Sequence, residues 1–448
     1  MKNTKWIGLG LLALASCAGT KAKPEDAPVV AAVEVAPTEA APAEAAPAED
    51  EPRIAFEQLD VQAVAGASLR GLSVPKPGVV WVSGSGGKVA RSTDSGATWT
   101  DAQIPEAVAD DLDLRCIVAF DGQEAWAASA GAGSASRLFH TIDGGAAWST
   151  VLRNEDPVGF FDGLAFWDRN NGMLLGDPTD GYLTVLVTAD GGATWERMGD
   201  AEVFALPASK PVTLINGELS VALTNEQKRQ AEAEAEAFSA ELGTDAAAVS
   251  AMLDQQAAID ETLAPLGEYC FAASNQSIAL MGRSTAWIGT GGKVARVFKT
   301  QDRGRTWTVA ETPMAQGDEA AGVFALDFVD FDHGVAVGGN YTQPDGTAGN
   351  CAVTSDGGET WQRVATPPQG YRSSVSFLPG GDDLWICAGT SGADISEASR
   401  AGDWSQSADA GSALNSVATD PLGRAVWTVG ADGFVGRMPS PKAGIVWE

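Results

Sequence analysis

Three short stretches carry the residues best suited to grip a charged ligand. They are Ser68-Leu69-Arg70-Gly71, Asp113-Leu114-Arg115-Cys116 and Gly370-Tyr371-Arg372-Ser373. Each sets an arginine at the start of an apolar run, so Arg70, Arg115 and Arg372 stand at matching places. A guanidinium is a planar, permanently charged fork that holds a carboxylate through two parallel N–H bonds. Three of them converging would suit a carboxylate or an acidic peptide. Salt bridges to Asp113 or Asp162 are the structural alternative, and spacing does not decide between the two. The candidate binding set is Arg70, Arg115, Arg372, Asp162 and Tyr371.

Other chemistry is thinly represented. His140 and His333 are the two histidines. One sits beside a turn motif and the other in a turn, which suits neither as a general base. Gly86-Gly87-Lys88-Val89-Ala90-Arg91 recurs as Gly291-Gly292-Lys293-Val294-Ala295-Arg296. A phosphate-cradling loop would open a helix, and none follows either copy, so both read as turns. No zinc spacing, dinucleotide fingerprint or nucleophile elbow occurs in the sequence. No catalytic residue, metal or cofactor is therefore expected.

The elements that must position the arginines come from a repeat. Five segments follow the pattern [S/T]-x-D-x-G-x-x-W: Ser92 to Trp99, Thr141 to Trp148, Thr188 to Trp195, Thr300 to Trp307 and Thr354 to Trp361. Their aspartates are Asp94, Asp143, Asp190, Asp302 and Asp356. Asp and Gly together make a tight turn, the carboxylate accepting loop N–H groups and the glycine supplying positive φ. Trp99, Trp148, Trp195, Trp307 and Trp361 then supply large apolar surfaces for packing between sheets. Repetition assigns these residues to the fold rather than to a ligand. The tryptophans are 49, 47, 112 and 54 positions apart. A period near 47 fits one four-stranded blade of a propeller, and the long gap holds one period plus an insertion.

The expected fold is therefore all-β: a seven-bladed β-propeller, with six blades as the alternative, and a small helical insertion. Apolar runs at Leu69–Val74, Leu114–Phe120, Phe161–Phe166, Tyr269–Ala273, Val323–Phe328 and Tyr371–Phe377 read as the first strand of successive units. A sixth unit ends in the decayed box Ser399 to Trp404. A seventh, from Leu414 to Met438, lacks a box and its outer strand, which Ala55–Val61 can supply. Residues 205–266 break the repeat. Val212–Ile215 and Glu218–Leu223 flank Asn216-Gly217 and read as a hairpin. Thr224-Asn225-Glu226-Gln227 opens a helix to Leu242, and a second runs from Asp245 to Leu263. This pair is expected to overhang the mouth of the propeller, on the face opposite the boxes.

The formal net charge is −30. That balance repels phosphate backbones and anionic lipid, so nucleic acid is excluded as an expected partner. Residues 1–16 read as a secretory leader: Lys2 and Lys5 precede an apolar stretch, Trp6 to Ala15, too short to span a bilayer. Residues 17–52 are rich in Ala, Pro and Glu, and read as a disordered tether. The propeller is assigned to 53–448. Cys116, Cys270, Cys351 and Cys387 lie in apolar runs, where a buried thiol and a disulfide both remain open.

Several resemblances follow from these residues. Leu14-Ala15-Ser16-Cys17 resembles the bacterial lipobox, which implies cleavage before Cys17 and a lipid on its sulfur. The chain would then be exported and held in the cell envelope, at the outer membrane or facing the periplasm, with membrane contact through the lipid alone. The five turn motifs identify the chain as a member of the Asp-box (BNR-type) propellers. An arginine trio on such blades resembles the sialidases, which implies a glycoside hydrolase with a tyrosine–glutamate nucleophile pair. Arg53-Ile54-Ala55 stands where that family has Arg-Ile-Pro. Phe160 to Asp168, Gly176-Asp177-Pro178, Val337 to Tyr341 and Gly370 to Ser373 resemble propellers related to the photosystem II stability/assembly factor family. That resemblance implies a non-catalytic assembly or scaffold role, with an arginine patch holding a protein or peptide partner, and a monomeric chain. A sialidase-like hydrolase is the alternative.

Overall fold

The structure is a computed structural model, and it describes residues 55–179, 182–198, 213–215, 218–220, 267–380, 384–397, 402–407, 411 and 413–439. The leader, the tether, Cys17 and both expected insertion helices lie outside the described residues.

Seven antiparallel sheets, one per repeat, form the blades, which corrects the six-bladed alternative. The first strands of the blades are Leu69–Lys76, Asp113–Ala119, Phe161–Phe166, Ile278–Met281, Asp318–Phe328, Ser374–Leu378 and Leu414–Thr419. Each is followed by a second strand paired to it, then a third and a short fourth. The second strands are the most deeply buried: Val79–Gly84, Ala125–Ala130, Leu384–Gly389 and Ala425–Gly430 are buried at every position. The last blade closes the ring. Its fourth strand is Glu57–Leu59, which pairs with Val435–Pro439 in the register Glu57↔Arg437 and Leu59↔Val435. The first strand of the propeller in chain order is thus clamped to its last by backbone hydrogen bonds, as the run 55–61 anticipates.

The boxes act as turn-makers. In the third blade Thr188 Oγ1 donates to Asp190 Oδ1 at 2.9 Å, and Thr194 N donates to the same oxygen at 2.9 Å. The Thr194 hydroxyl and amide, with the Thr188 hydroxyl, hold the Asp190 carboxyl down at about 2. The same contacts recur at Asp94, Asp302 and Asp356. The box tryptophans pack between blades. Trp148 meets Trp81 of the preceding blade edge-on at 6.2 Å, Trp195 meets Trp126 at 6.2 Å, and Trp99 meets Trp427 across the closure at 6.3 Å. Box amides also bond the turns between first and second strands, as Gly144 N to Gln123 O and Gly191 N to Asn170 O. Boxes and these turns therefore share one face. The starts of the first strands lie on the other face, the mouth.

Two details depart from the sequence reading. Tyr269–Ala273 is not the first strand of the fourth blade; that strand is Ile278–Met281. Glu268–Tyr269 instead pairs with Gly291–Gly292, at the edge of the fifth blade's sheet. A five-residue helix, Pro105–Ala109, joins the first two blades and has no counterpart in the sequence reading. In the insertion, Thr213–Ile215 pairs with Glu218–Ser220 as a hairpin should. Cys116, Cys270, Cys351 and Cys387 are all buried and unbridged.

Candidate functional site at the propeller mouth

A repeated backbone irregularity builds the site. In the first blade Leu69 pairs with Gly84 and Gly71 with Ser83, which leaves Arg70 as the extra residue of a β-bulge. The same slip leaves Asp162 out between Phe161 and Gly163, Phe324 between Val323 and Ala325, and Asn415 between Leu414 and Ser416. In the second blade the slip spans Asp113 to Cys116 and releases Arg115. A bulge re-aims one side chain out of the sheet's alternation. Here it turns one residue in each of these five blades into the mouth, where Arg70, Arg115, Asp162, Phe324 and Asn415 all line a cavity of about 500 Å³.

Arg372 does not join them. It is wholly buried, and its Nε donates to Asp394 Oδ2 at 2.6 Å. Its remaining N–H groups donate to Tyr371 O, Ser391 Oγ and Gln369 O. The reason is register. Ser374 pairs with Ala388 as Gly71 pairs with Ser83, so Ser373 occupies the Arg70 position and Arg372 that of Leu69. One residue of offset sends a side chain to the opposite side of a strand. The expectation that Arg372 faces the mouth is corrected: it is an internal brace between two parts of the sixth blade. Ser373 lines the cavity in its place.

The cavity has three chemically distinct walls. The first two blades supply cations. Arg115 Nε pairs with Asp113 Oδ2 at 2.7 Å and keeps 31% of its side chain exposed. Arg70 lies close enough that burial, and then the Arg115 charge, pull its pKa below that of an ordinary arginine. The third blade supplies two carboxyls, Asp162 and Asp177. Burial, reinforced by the Asp177 charge, pushes Asp162 well above the usual carboxylate range. Burial likewise raises Asp177, to about 6. Asp162 Oδ2 has no hydrogen-bond partner among the described residues. The third wall is aromatic. Phe324 stacks on Phe271 at 3.8 Å and meets Tyr371 edge-on at 4.8 Å, while the half-exposed Tyr341 borders both Phe324 and Tyr371. Tyr371 is buried, and that burial raises its phenol pKa.

The floor is the chain's own segment 270–276, which crosses the central channel. It hydrogen-bonds to all six other blades, through Arg70, Arg115, Leu164, Leu326, Ser373 to Val375, and Val417. Asn275 Oδ1 accepts from Leu164 N at 2.7 Å and its Nδ2 donates to Leu164 O at 3.0 Å. Gln276 Oε1 accepts from Val375 N at 2.9 Å and Nε2 donates to Val417 O at 3.1 Å. Sequence reasoning missed this segment, Asp177 and Phe324 as parts of the site.

Among the described residues, the tyrosine–glutamate pair of the sialidase alternative is not assembled at the mouth. Tyr371 and Tyr341 line the cavity, but among the described residues no glutamate does. Glu268 is nearest in sequence to the site, and it is sealed beside Arg296 and Thr290.

No family model and no curated protein matches this sequence. Solved structures do match in fold. "YCF48 bound to D1 peptide" aligns with a TM-score of 0.51 at 13% identity, covering 87% of this chain and 97% of the other. YCF48 from Cyanidioschyzon merolae gives a TM-score of 0.49 at 15% identity, covering 88% and 100%. A catalytically inactive virginiamycin B lyase from Staphylococcus aureus with quinupristin gives 0.49 at 12% identity, covering 86% and 98%. At these identities the likeness lies in the fold: this chain is a seven-bladed β-propeller similar in structure to YCF48.

Proposed function

We propose that this propeller is a non-catalytic binding module that holds a peptide or protein partner at its mouth. The observation that carries the reading is the bulge register, which delivers two arginines, a buried carboxyl and the Phe324 ring into one cavity. Clefts of roughly 300–1,000 Å³ lined by apolar rings and a few convergent polar groups are the usual form of a ligand site. Arginine and tyrosine are also the residues that most often dominate binding energy at interfaces. In this reading Arg70 and Arg115 donate to acceptor oxygens of the partner, and Tyr341 and Phe324 seat an apolar side chain. That a structurally similar propeller is described as bound to a peptide supports a peptide ligand here.

The reading includes an address. Cleavage before Cys17 and lipidation of its sulfur would tether the propeller in a bacterial envelope through residues 17–52. Its role there would be assembly or scaffolding, as a monomer. Recovery of envelope proteins on the wild-type chain and on an Arg70→Ala/Arg115→Ala double variant tests the site. Loss of specific partners with the variant is expected, and unchanged recovery would refute the arginine role. Metabolic labelling with an alkynyl fatty acid tests the anchor, and label persisting in Cys17→Ser would refute it.

A further inference from the structure

Residues 269–273 lie in the mouth cavity as a strip of backbone, and the candidate binding groups already hold it. Arg115 Nη1 reaches Ala272 O at 3.5 Å and Arg70 Nη1 reaches Ala273 O at 3.2 Å. On the other side Asp177 Oδ1 accepts from Cys270 N at 3.1 Å, and the Ala272 amide faces the Asp162 carboxyl closely enough to offset part of the rise that burial imposes on it. Phe271 lies flat on Phe324, with planes 13° apart. Cations on carbonyls, carboxyls on amides and a ring on a ring are the contacts a groove makes with a peptide in an extended mode of recognition.

The grip is uneven along the segment. The arginine contacts sit at or near the outer limit for a hydrogen bond. The following residues are held tightly. Ser274 Oγ donates to Ser373 O at 2.6 Å, Asn275 is clasped twice by Leu164, and Gln276 Oε1 accepts from Ser374 Oγ at 2.5 Å. The segment is therefore a short span, 270–273, held by longer contacts between a strand pair at 268–269 and a root at 274–276.

We propose that residues 270–273 are a resident self-ligand: they fill the peptide-recognition surface of the mouth, and an external peptide binds by displacing them. The proposal rests on the reading that the mouth is a peptide site, and it names the ligand class. The groups that hold the span address backbone N–H, backbone C=O and one aromatic face. The external ligand is accordingly an extended segment with an aromatic side chain seated on Phe324, and net negative charge is not what selects it. Self-occupation lowers apparent affinity by the fraction of molecules in which the span is lifted.

The test uses the full chain and a probe copying residues 267–277, N-acetylated and C-amidated, with Cys270→Ser. Phe271→Ala removes the stack that holds the span and leaves Phe324, Arg70 and Arg115 intact. Fluorescence anisotropy is expected to show the probe binding this variant at least about tenfold more tightly than wild type. In wild type, saturating probe should raise hydrogen exchange at the amides of Cys270 and Ala272 and leave the first strands unchanged. Equal affinity for both proteins with unchanged exchange would overturn the self-ligand and leave the mouth reading standing. No binding to either protein at millimolar probe would also overturn it, and the mouth reading would then stand or fall on the Arg70/Arg115 recovery experiment. Should Phe271→Ala fail to fold, the wild-type exchange measurement decides by itself.

Discussion

Gln276→Ala tests whether the channel-crossing segment holds the ring together. Gln276 reaches from the entry of the fourth blade to the sixth and seventh blades. Its Oε1 accepts from Val375 N at 2.9 Å and Ser374 Oγ at 2.5 Å, and its Nε2 donates to Val417 O at 3.1 Å. Val375 is fully buried, so truncation strands its amide without water. An orphaned buried N–H costs ~1–3 kcal/mol, and each of the other two bonds contributes ~0.5–1.5 kcal/mol net. The loss should total about 2–6 kcal/mol. A fold of this size shifts its melting temperature by ~1.2 °C per kcal/mol, giving a fall of about 2–7 °C. Thermal unfolding followed by tryptophan fluorescence reads it directly. Gln123→Ala, at an exposed turn, serves as the control and should move the melt by under ~1 °C. A Gln276→Ala melt indistinguishable from this control would refute the claim that the segment ties the blades across the channel.

Other outcomes follow from the same geometry. Arg372→Met should destabilise the fold by about 3–5 kcal/mol in a denaturant melt, because it leaves the buried Asp394 carboxylate without its partner. Arg70→Ala, which strands no buried carboxylate, should cost far less stability. The Asp190 carboxyl is held at about 2 in the folded state by Thr194 and Thr188, below its ordinary 3.8. Its contribution is thus present above about pH 4 and lost as pH falls towards 2, so Asp190→Asn should flatten the acid limb of a pH–stability curve. Asp177 has the opposite sign. Its folded pKa is raised from 3.8 to about 6 by burial, so the stability it contributes is full below pH 3.8 and is lost as pH rises through 6. Asp177→Asn should remove that decline when denaturation midpoints are compared at pH 4.5 and 7.5.

The parts of the fold that were legible in sequence are those fixed by short-range chemistry. The boxes announce themselves because Thr188, Asp190, Gly192 and Thr194 complete the turn within a few residues of one another. The closing strand 55–61 was legible because the last unit lacks a partner that only a distant apolar run can provide. The site was half legible. Arg70 and Arg115 line the mouth, and Asp162 and Tyr371 do so with them. Arg372 misled because its neighbours Tyr371 and Ser373 imitate the start of a strand, while the bulge that selects the mouth residue is a property of pairing. A finer pattern was available: Leu69-Arg70-Gly71-Leu72, Phe161-Asp162-Gly163-Leu164, Val323-Phe324-Ala325-Leu326 and Leu414-Asn415-Ser416-Val417 all read apolar, free, small, apolar. The corresponding Arg372-Ser373-Ser374-Val375 would have pointed to Ser373. Tyr269 to Ala273 read as a strand because its surroundings are apolar. Its polar backbone is met by side chains of other blades, which no local pattern records.

The most direct test of the account is where a partner touches the propeller. A photo-crosslinking residue at position 341, on the mouth rim, can be compared with one at Ile142, an exposed box position on the opposite face. The account predicts a discrete adduct from position 341 in envelope extract, absent from position 142 and abolished by Arg70→Ala/Arg115→Ala. An adduct formed equally from both faces, or one that survives loss of both arginines, would contradict it.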